Sequence, residues 1–237
     1  MKVGYFTVHK SGSMLVYKLL KKVIDLEINY KFYSANNSDQ GRFVNIPDGN
    51  PANSGELSQL YNEISSGIVG PLRRPLNVKF DHDIVLVLRD PRDCLVSMFH
   101  SFTKIHGGIP EEERERRIKK GIDGFCLQRL EDLASRYDIY IDEYLDKPNV
   151  TFLKYEDIFL GDSDSWISSF LDPLHLSENI QAAVYDYFKA EVSLDTADGT
   201  THKRRMLPGE HKSALTGEAS AEINSRLHNI LQRLNYN

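Results

Sequence analysis

The chain reads as an α/β protein with a central, mainly parallel sheet flanked by helices. Two observations predict it. Short apolar, β-rich runs at residues 3–8, 84–88 and 150–153 alternate with helical stretches, the order that builds βαβ units in a three-layer architecture. The run Ile84-Val85-Leu86-Val87-Leu88 carries no polar residue, as a strand buried on both faces requires. In such sheets ligands bind beyond the carboxyl ends of the strands.

Taken in order, residues 3–8 form the first strand and a Ser-Gly-Ser turn ends it. Leu15, Val16, Leu19, Leu20, Val23 and Ile24 then recur at helical spacing, which predicts an amphipathic helix over residues 13–25. Residues 28–33 read as a second strand. Residues 34–55, rich in Asn, Ser, Gly, Asp and Pro, read as a long functional loop, and 56–65 as a helix. After the strand at 84–88, Pro91 opens a helix running toward His106.

Residues 111–144 are mostly helical, and the charge-alternating run 111–120 reads as a solvated helix face. A strand at 150–153 follows, then two or three helices to about residue 190. Residues 192–213, with the basic cluster His202-Lys203-Arg204-Arg205, read as a mobile loop, and 218–234 as a closing helix. No internal repeat or low-complexity segment stands out.

A chain of 237 residues fits one domain. Its 41% hydrophobic and 27% charged residues are globular composition, which excludes disorder as the starting assumption. The formal charge of −5 argues against broad nucleic-acid binding. Cys94 and Cys126 are in no metal-type spacing and suit a reducing compartment. The amino terminus does not read as a secretory leader, and no stretch is long and apolar enough to span a bilayer. A soluble, cytoplasmic protein is expected.

Two turns at strand ends carry the chemistry. The first is His9-Lys10-Ser11-Gly12-Ser13-Met14-Leu15, between the first strand and first helix. Free backbone N–H groups and the positive helix end make such a turn an anion site. Gly12 permits close approach, Ser13 can cap the helix or donate to an oxygen, and Lys10 adds a full charge. The lysine precedes the glycine, so this is not a Walker A loop. The second turn is Arg89-Asp90-Pro91-Arg92-Asp93, with Ser97 eight residues after Arg89. Arginine suits a phosphate through its planar fork. Asp90, Arg92 and Asp93 can staple the turn through ion pairs.

Together the turns resemble the family of sulfotransferases that use 3′-phosphoadenosine 5′-phosphosulfate (PAPS). Lys10-Ser11-Gly12-Ser13 resembles the family's 5′-phosphosulfate loop, and Arg89 with Ser97 its 3′-phosphate motif. Two further echoes follow in order: Leu153-Lys154-Tyr155-Glu156-Asp157, and Arg204-Arg205-Met206 with Gly209-Glu210-His211-Lys212. The resemblance implies a P-loop-like nucleotide-binding fold. It implies that Lys10 holds the sulfonate and bridging oxygen, and that Ser11 to Met14 offer backbone donors to the 5′-phosphate, with Leu15 completing that loop. Arg89, Ser97, Arg204 and Arg205 would bind the 3′-phosphate, with Met206 in the closing loop, and Tyr155 would contact the adenosine. No metal is implied.

The departures are specific. Leu15 stands where the family usually has an adenine-stacking tryptophan, and Met206 replaces a glycine. Tyr187 or Phe188 could pack on the adenine instead. The family's Lys-Thr-His segment, which carries the general base, is missing; that region reads Ile68-Val69-Gly70-Pro71-Leu72-Arg73-Arg74-Pro75. His9, beside Lys10, is the leading base candidate, ahead of His106, Asp48 and Glu56. Arg73 could orient the sulfonate but cannot be a base at neutral pH. A small-molecule acceptor is expected, in a pocket built from residues 34–55, 68–77, 103–112 and 192–203. A nucleoside-phosphate kinase or NTPase, and a non-catalytic nucleotide-binding module, stay open as alternatives.

Overall fold

A computed structural model describes residues 1–37, 40–47, 54–105, 108–193 and 206–236. Its centre is a six-stranded sheet whose strands all pair in parallel. In chain order these are β1 (Lys2–Thr7), β2 (Phe32–Ser34), β3 (Phe43–Asn45), β4 (Gly67–Leu72), β5 (Asp83–Leu88) and β6 (Val150–Lys154). In space the order is β3-β2-β4-β1-β5-β6. From β1 the chain moves out to β2 and β3; from β4 it crosses over β1 to reach β5. The direction of winding therefore reverses beside β1, and the carboxyl ends of β1 and β5 are where a sheet of this kind forms its ligand crevice.

Side-chain alternation along the strands builds two cores. Val3, Tyr5, Val85 and Val87 point to one face and meet Val16, Leu19, Leu20 and Val23 of α1 (Ser13–Leu26), with α6 (Ser163–Leu171) and α7 (Glu178–Val192). Phe6, Ile84, Leu86 and Leu88 point to the other face. They meet α3 (Pro91–His100), α4 (Glu111–Ile139), α9 (Gly217–Arg226) and α10 (His228–Arg233), with α2 (Ser54–Glu63) at the margin. Two short helices, α5 (Asp157–Leu160) and α8 (His211–Ala214), complete the set among the described residues.

The expected three layers and the strands at 3–8, 84–88 and 150–153 are present, as is the helix after the first turn. The first half of the stretch expected to be an acceptor loop at 68–77 is instead β4, a central strand; residues 73–77 are in neither strand nor helix. Its register with β1 slips: Gly4 pairs with Val69, and Phe6 with Leu72. Gly70 and Pro71 thus stand opposite Tyr5 alone, a bulge that accommodates a proline without a ladder hydrogen bond. Gly70 has φ 139° there, and a Cβ on it would fall 2.4 Å from the Tyr5 carbonyl oxygen.

Smaller corrections concern where elements begin and break. The second strand begins at Phe32, because Ile28 is 72% exposed and Tyr30 instead reaches the Leu174 carbonyl. The loop at 34–55 contains β3 and the first residues of α2. The closing helix is two, α9 and α10, broken at Leu227. The helix after Pro91 passes at Ser101 into a π-helical turn reaching Ile105; His106 lies outside the described residues.

Candidate functional site

The first turn closes on itself through Ser11. Its fully buried hydroxyl donates to the Val8 carbonyl at 2.8 Å and contacts the Val87 carbonyl at 3.2 Å, and it accepts from the Val8 N–H at 3.0 Å. The Ser11 N–H also goes to the Val8 carbonyl, at 3.2 Å. Both polar groups of Ser11 are therefore used inside the turn, which narrows the expected row of backbone donors. Lys10 (φ 74°) and Gly12 (φ 87°) both take left-handed conformations. Gly12, not Ser13, is the cap residue of α1, with no side-chain cap bond. The first intrahelical bond of this turn runs from the Val16 N–H to the Gly12 carbonyl. The N–H groups of Ser13, Met14 and Leu15 thus have no acceptor in the helix, at its positive end.

The second turn is stapled as expected. Asp90 caps α3 through the Arg92 N–H at 2.9 Å and grips the Arg92 guanidinium with both oxygens. Arg92 also reaches Asn224 on α9 at 2.9 Å, so it braces the turn rather than facing a ligand. Arg89 behaves differently. It is 4% exposed, its Nη1 lies 3.4 Å from the Lys10 carbonyl, and its Nη2 lies 3.5 Å from Asp93. Its Nε is buried with no acceptor among the described residues. Ser97 lies one helical turn beyond Asp93 and is partly exposed.

Tyr155 links these turns to the late segment. Its ring is so close to Gly12 that a Cβ there would fall 2.8 Å from Cδ2. The Arg89 guanidinium carbon stands 4.7 Å from the ring centre, and the hydroxyl donates to the Met206 carbonyl at 2.9 Å. Burial pushes the Tyr155 hydroxyl up to about 12 despite the Arg89 charge, so it remains a donor. Glu156 accepts from the Asp90 N–H and the Tyr236 hydroxyl, each at 2.9 Å.

Asp93 is the contact that sequence reading placed only as a staple. It is fully buried and accepts the Gly209 N–H at 2.6 Å, the His211 N–H at 3.0 Å and His211 Nδ1 at 2.7 Å. Burial alone would raise its carboxyl, yet the His211 bonds, the Arg89 charge and the Gly209 N–H hold it well below the usual range. The motif pattern contained both partners, but nothing in it paired Asp93 with His211 across the chain.

Other candidates separate. Arg73 directly follows β4, so the strand carries it to the carboxyl edge beside the first turn. His9 is half-buried with its ring 5.6 Å from that of Phe102 in the π-helical turn. Met14 is 38% exposed at the start of α1, and Leu15 is partly buried against the α1-side core. Phe188 is fully buried, stacked 5.6 Å from Trp166; it is a core residue and cannot pack on an adenine. Tyr187 lies on α7 with Lys22 5.8 Å from its ring. Glu56 is exposed on α2. Arg204, Arg205, Asp48 and His106 lie outside the described residues. So does most of the expected loop at 192–213, of which 211–213 belong to α8.

Cys94, behind the second turn, is fully buried and its thiol is pushed up to about 12 by that burial; Cys126 behaves alike. Among the described residues, no group of three or more His, Cys, Asp or Glu side chains gathers as a metal would need, and no helix is long and apolar enough to cross a membrane.

Solved structures share this fold over 97% of the chain. A mouse sulfotransferase complexed with PAP matches with a TM-score of 0.56 at 14% identity, covering 83% of that chain. Retinol dehydratase in complex with androsterone and inactive cofactor PAP matches at 0.55 and 16%, covering 80% of that chain. The same enzyme with retinol and PAP matches at 0.55 and 17%, covering 81%. No curated protein sequence matches. The sulfotransferase domain model matches residues 5–234. That span takes in both turns, Tyr155 and the late segment, and the chain therefore belongs to the sulfotransferase domain family.

Proposed function

We propose that the crevice between β1 and β5 moves a sulfonate from PAPS to a hydroxyl or amine of a small-molecule acceptor, with the following division of labour. Lys10 stands at the sulfonate and the bridging oxygen, and the first-turn N–H groups of α1 face the 5′-phosphate. Arg89 and Ser97 take the 3′-phosphate, with Arg204, Arg205 and Met206 as its further partners. Tyr155 lines the adenosine side. The observation that carries this reading is the buried Arg89 Nε with no acceptor among the described residues, beside the uncapped start of α1. The solved relatives are complexes with PAP, the 3′-phosphoadenosine 5′-phosphate product of such a transfer, which supports the same donor.

Transfer is an in-line displacement, and negative charge grows on the oxygen that leaves with the 5′-phosphate. A fixed cation and aligned N–H dipoles at that oxygen stabilise the transition state more than the ground state. Lys10 and α1 supply both, so the step proceeds without a metal. His9 takes the acceptor's proton: it adjoins Lys10, and a neutral imidazole can act as base near pH 7. Arg73 orients the sulfonate from the end of β4. The protein works in the cytoplasm, where Cys94 and Cys126 persist as thiols.

Calorimetric titration with PAP and with ATP tests the donor. PAP should bind without magnesium and far more tightly than ATP. Tight magnesium-dependent ATP binding with no PAP binding would overturn the assignment.

A further inference from the structure

The charged run 111–120 is a mostly exposed helical face, as expected, and it ends at a break. Gly121 takes φ 74° and ψ 171°, which breaks α4 into two arms. Between them lies a cleft of about 520 Å³. Arg116, Arg117, Lys119 and Lys120 line it from the first arm, and Arg129 from the second, with Phe125 and Gln128. Glu113 is the one carboxylate in the lining, and both its oxygens are taken, by Arg116 and by Arg117. Lys120 bonds Gln128 across the break at 2.7 Å. Five cations against one carboxylate is a local excess in a chain whose formal charge is −5. Such crowding is self-repulsive unless an anion relieves it, and a concave wall focuses the field.

The cleft adjoins the proposed transfer site. The Arg117 guanidinium carbon stands 5.1 Å from the Phe102 ring centre, and the His9 ring lies 5.6 Å from the same ring. Phe102 also packs edge-on against Phe125. One aromatic side chain thus separates the cations from the residue beside Lys10. Arg117 Nη1 is buried with no acceptor among the described residues.

We propose that this cleft holds the negative charges of the acceptor, which is a hydroxyl-bearing molecule with at least two carboxylate, sulfate or phosphate groups. The inference rests on the sulfotransferase reading of the crevice beyond Phe102. Guanidinium forks on both arms grip the anionic groups, the Phe125 face receives the apolar side of the acceptor body, and the reacting hydroxyl is presented past Phe102 toward His9.

The test titrates the full chain, free and loaded with PAP, with a sulfated hexuronate disaccharide, a hexose bisphosphate and a neutral glucose disaccharide. At least one polyanion should bind tenfold or more tightly than the neutral sugar, and less tightly as salt rises. Arg116→Glu with Arg129→Glu should remove that preference while PAP affinity holds within about twofold; Arg116→Gln with Arg129→Gln repeats the test without charge reversal. Binding of neither polyanion, or equal binding by wild type and both variants, overturns the inference. Loss of PAP binding alone would strike the donor assignment instead, because the free chain still reports on the cleft.

Discussion

The Arg89 guanidinium lies 4.7 Å from the centre of the Tyr155 ring, and on that ring's reach lies Gly12 as well. One aromatic side chain from the end of β6 thereby sets the spacing between the turns after β1 and β5. A cation held over a π face and screened from water gains about 2 kcal/mol or more. Arg89 is thus poised before any ligand arrives, with its fork held toward the Lys10 carbonyl.

Replacing Arg89 by alanine should weaken PAP at least tenfold, the effect of losing about one charged hydrogen bond of roughly 1.5–3 kcal/mol. Arg89→Lys should recover only part of it, since an ammonium lacks the fork. Calorimetry on folded protein decides; unchanged affinity in the alanine variant rejects the 3′-phosphate role.

Lys10→Ala should lower kcat on the order of a hundredfold or more, by analogy with about 2.7–4 kcal/mol for a lost oxyanion donor. PAP, which lacks the sulfonate, should lose far less affinity. Single-turnover transfer from labelled donor, set beside a PAP titration, reads both. Equal losses in the two would place Lys10 on the nucleotide instead of the transferring group.

Gly12→Ala should destabilise the fold by about 1–3 kcal/mol, since φ 87° is strained for alanine and its Cβ would meet the Tyr155 ring. Thermal unfolding measures this. Tyr155→Leu removes the clash together with the ring's own contacts, so it should cost less stability beside Gly12→Ala than in the wild type; an equal cost in both backgrounds would mean that the backbone conformation alone sets the loss.

Asp93 makes a pH prediction. Its folded-state carboxyl titrates below its unfolded value, so it contributes stability above about pH 4 that is lost as pH falls toward the folded value. Asp93→Asn should therefore be less stable at neutral pH and lose less on acidification than the wild type. Denaturant unfolding from pH 3 to pH 7 tests it; parallel curves for the two proteins would show that Asp93 contributes nothing to the acid limb.

The sheet was legible where a strand is apolar throughout and ends in a turn. Ile84–Leu88 and the run into Lys10 have that form, and their position at strand ends is enough to bring Lys10 and Arg89 together. β4 was not legible because Gly67, Gly70 and Pro71 carry turn chemistry; only the bulge opposite Tyr5 makes a strand of them. Phe188 looked available for a ligand because helical spacing does not reveal which face a neighbouring Trp166 covers. The charged run at 111–120 is mostly exposed, as its alternating charge predicts; the break after it was not legible, because nothing in the local pattern shows that Gly121 takes a positive φ. The bond from Asp93 to His211 spans too much chain for any local pattern to carry.

Tyr155 touches three stretches of chain far apart in sequence: Gly12 with its ring edge, Arg89 with its face and Met206 with its hydroxyl. Changes at these places share a partner, so their effects will not sum. A larger residue at 12, a shorter cation at 89 or a shift of the backbone at 206 would each be felt first by the same ring.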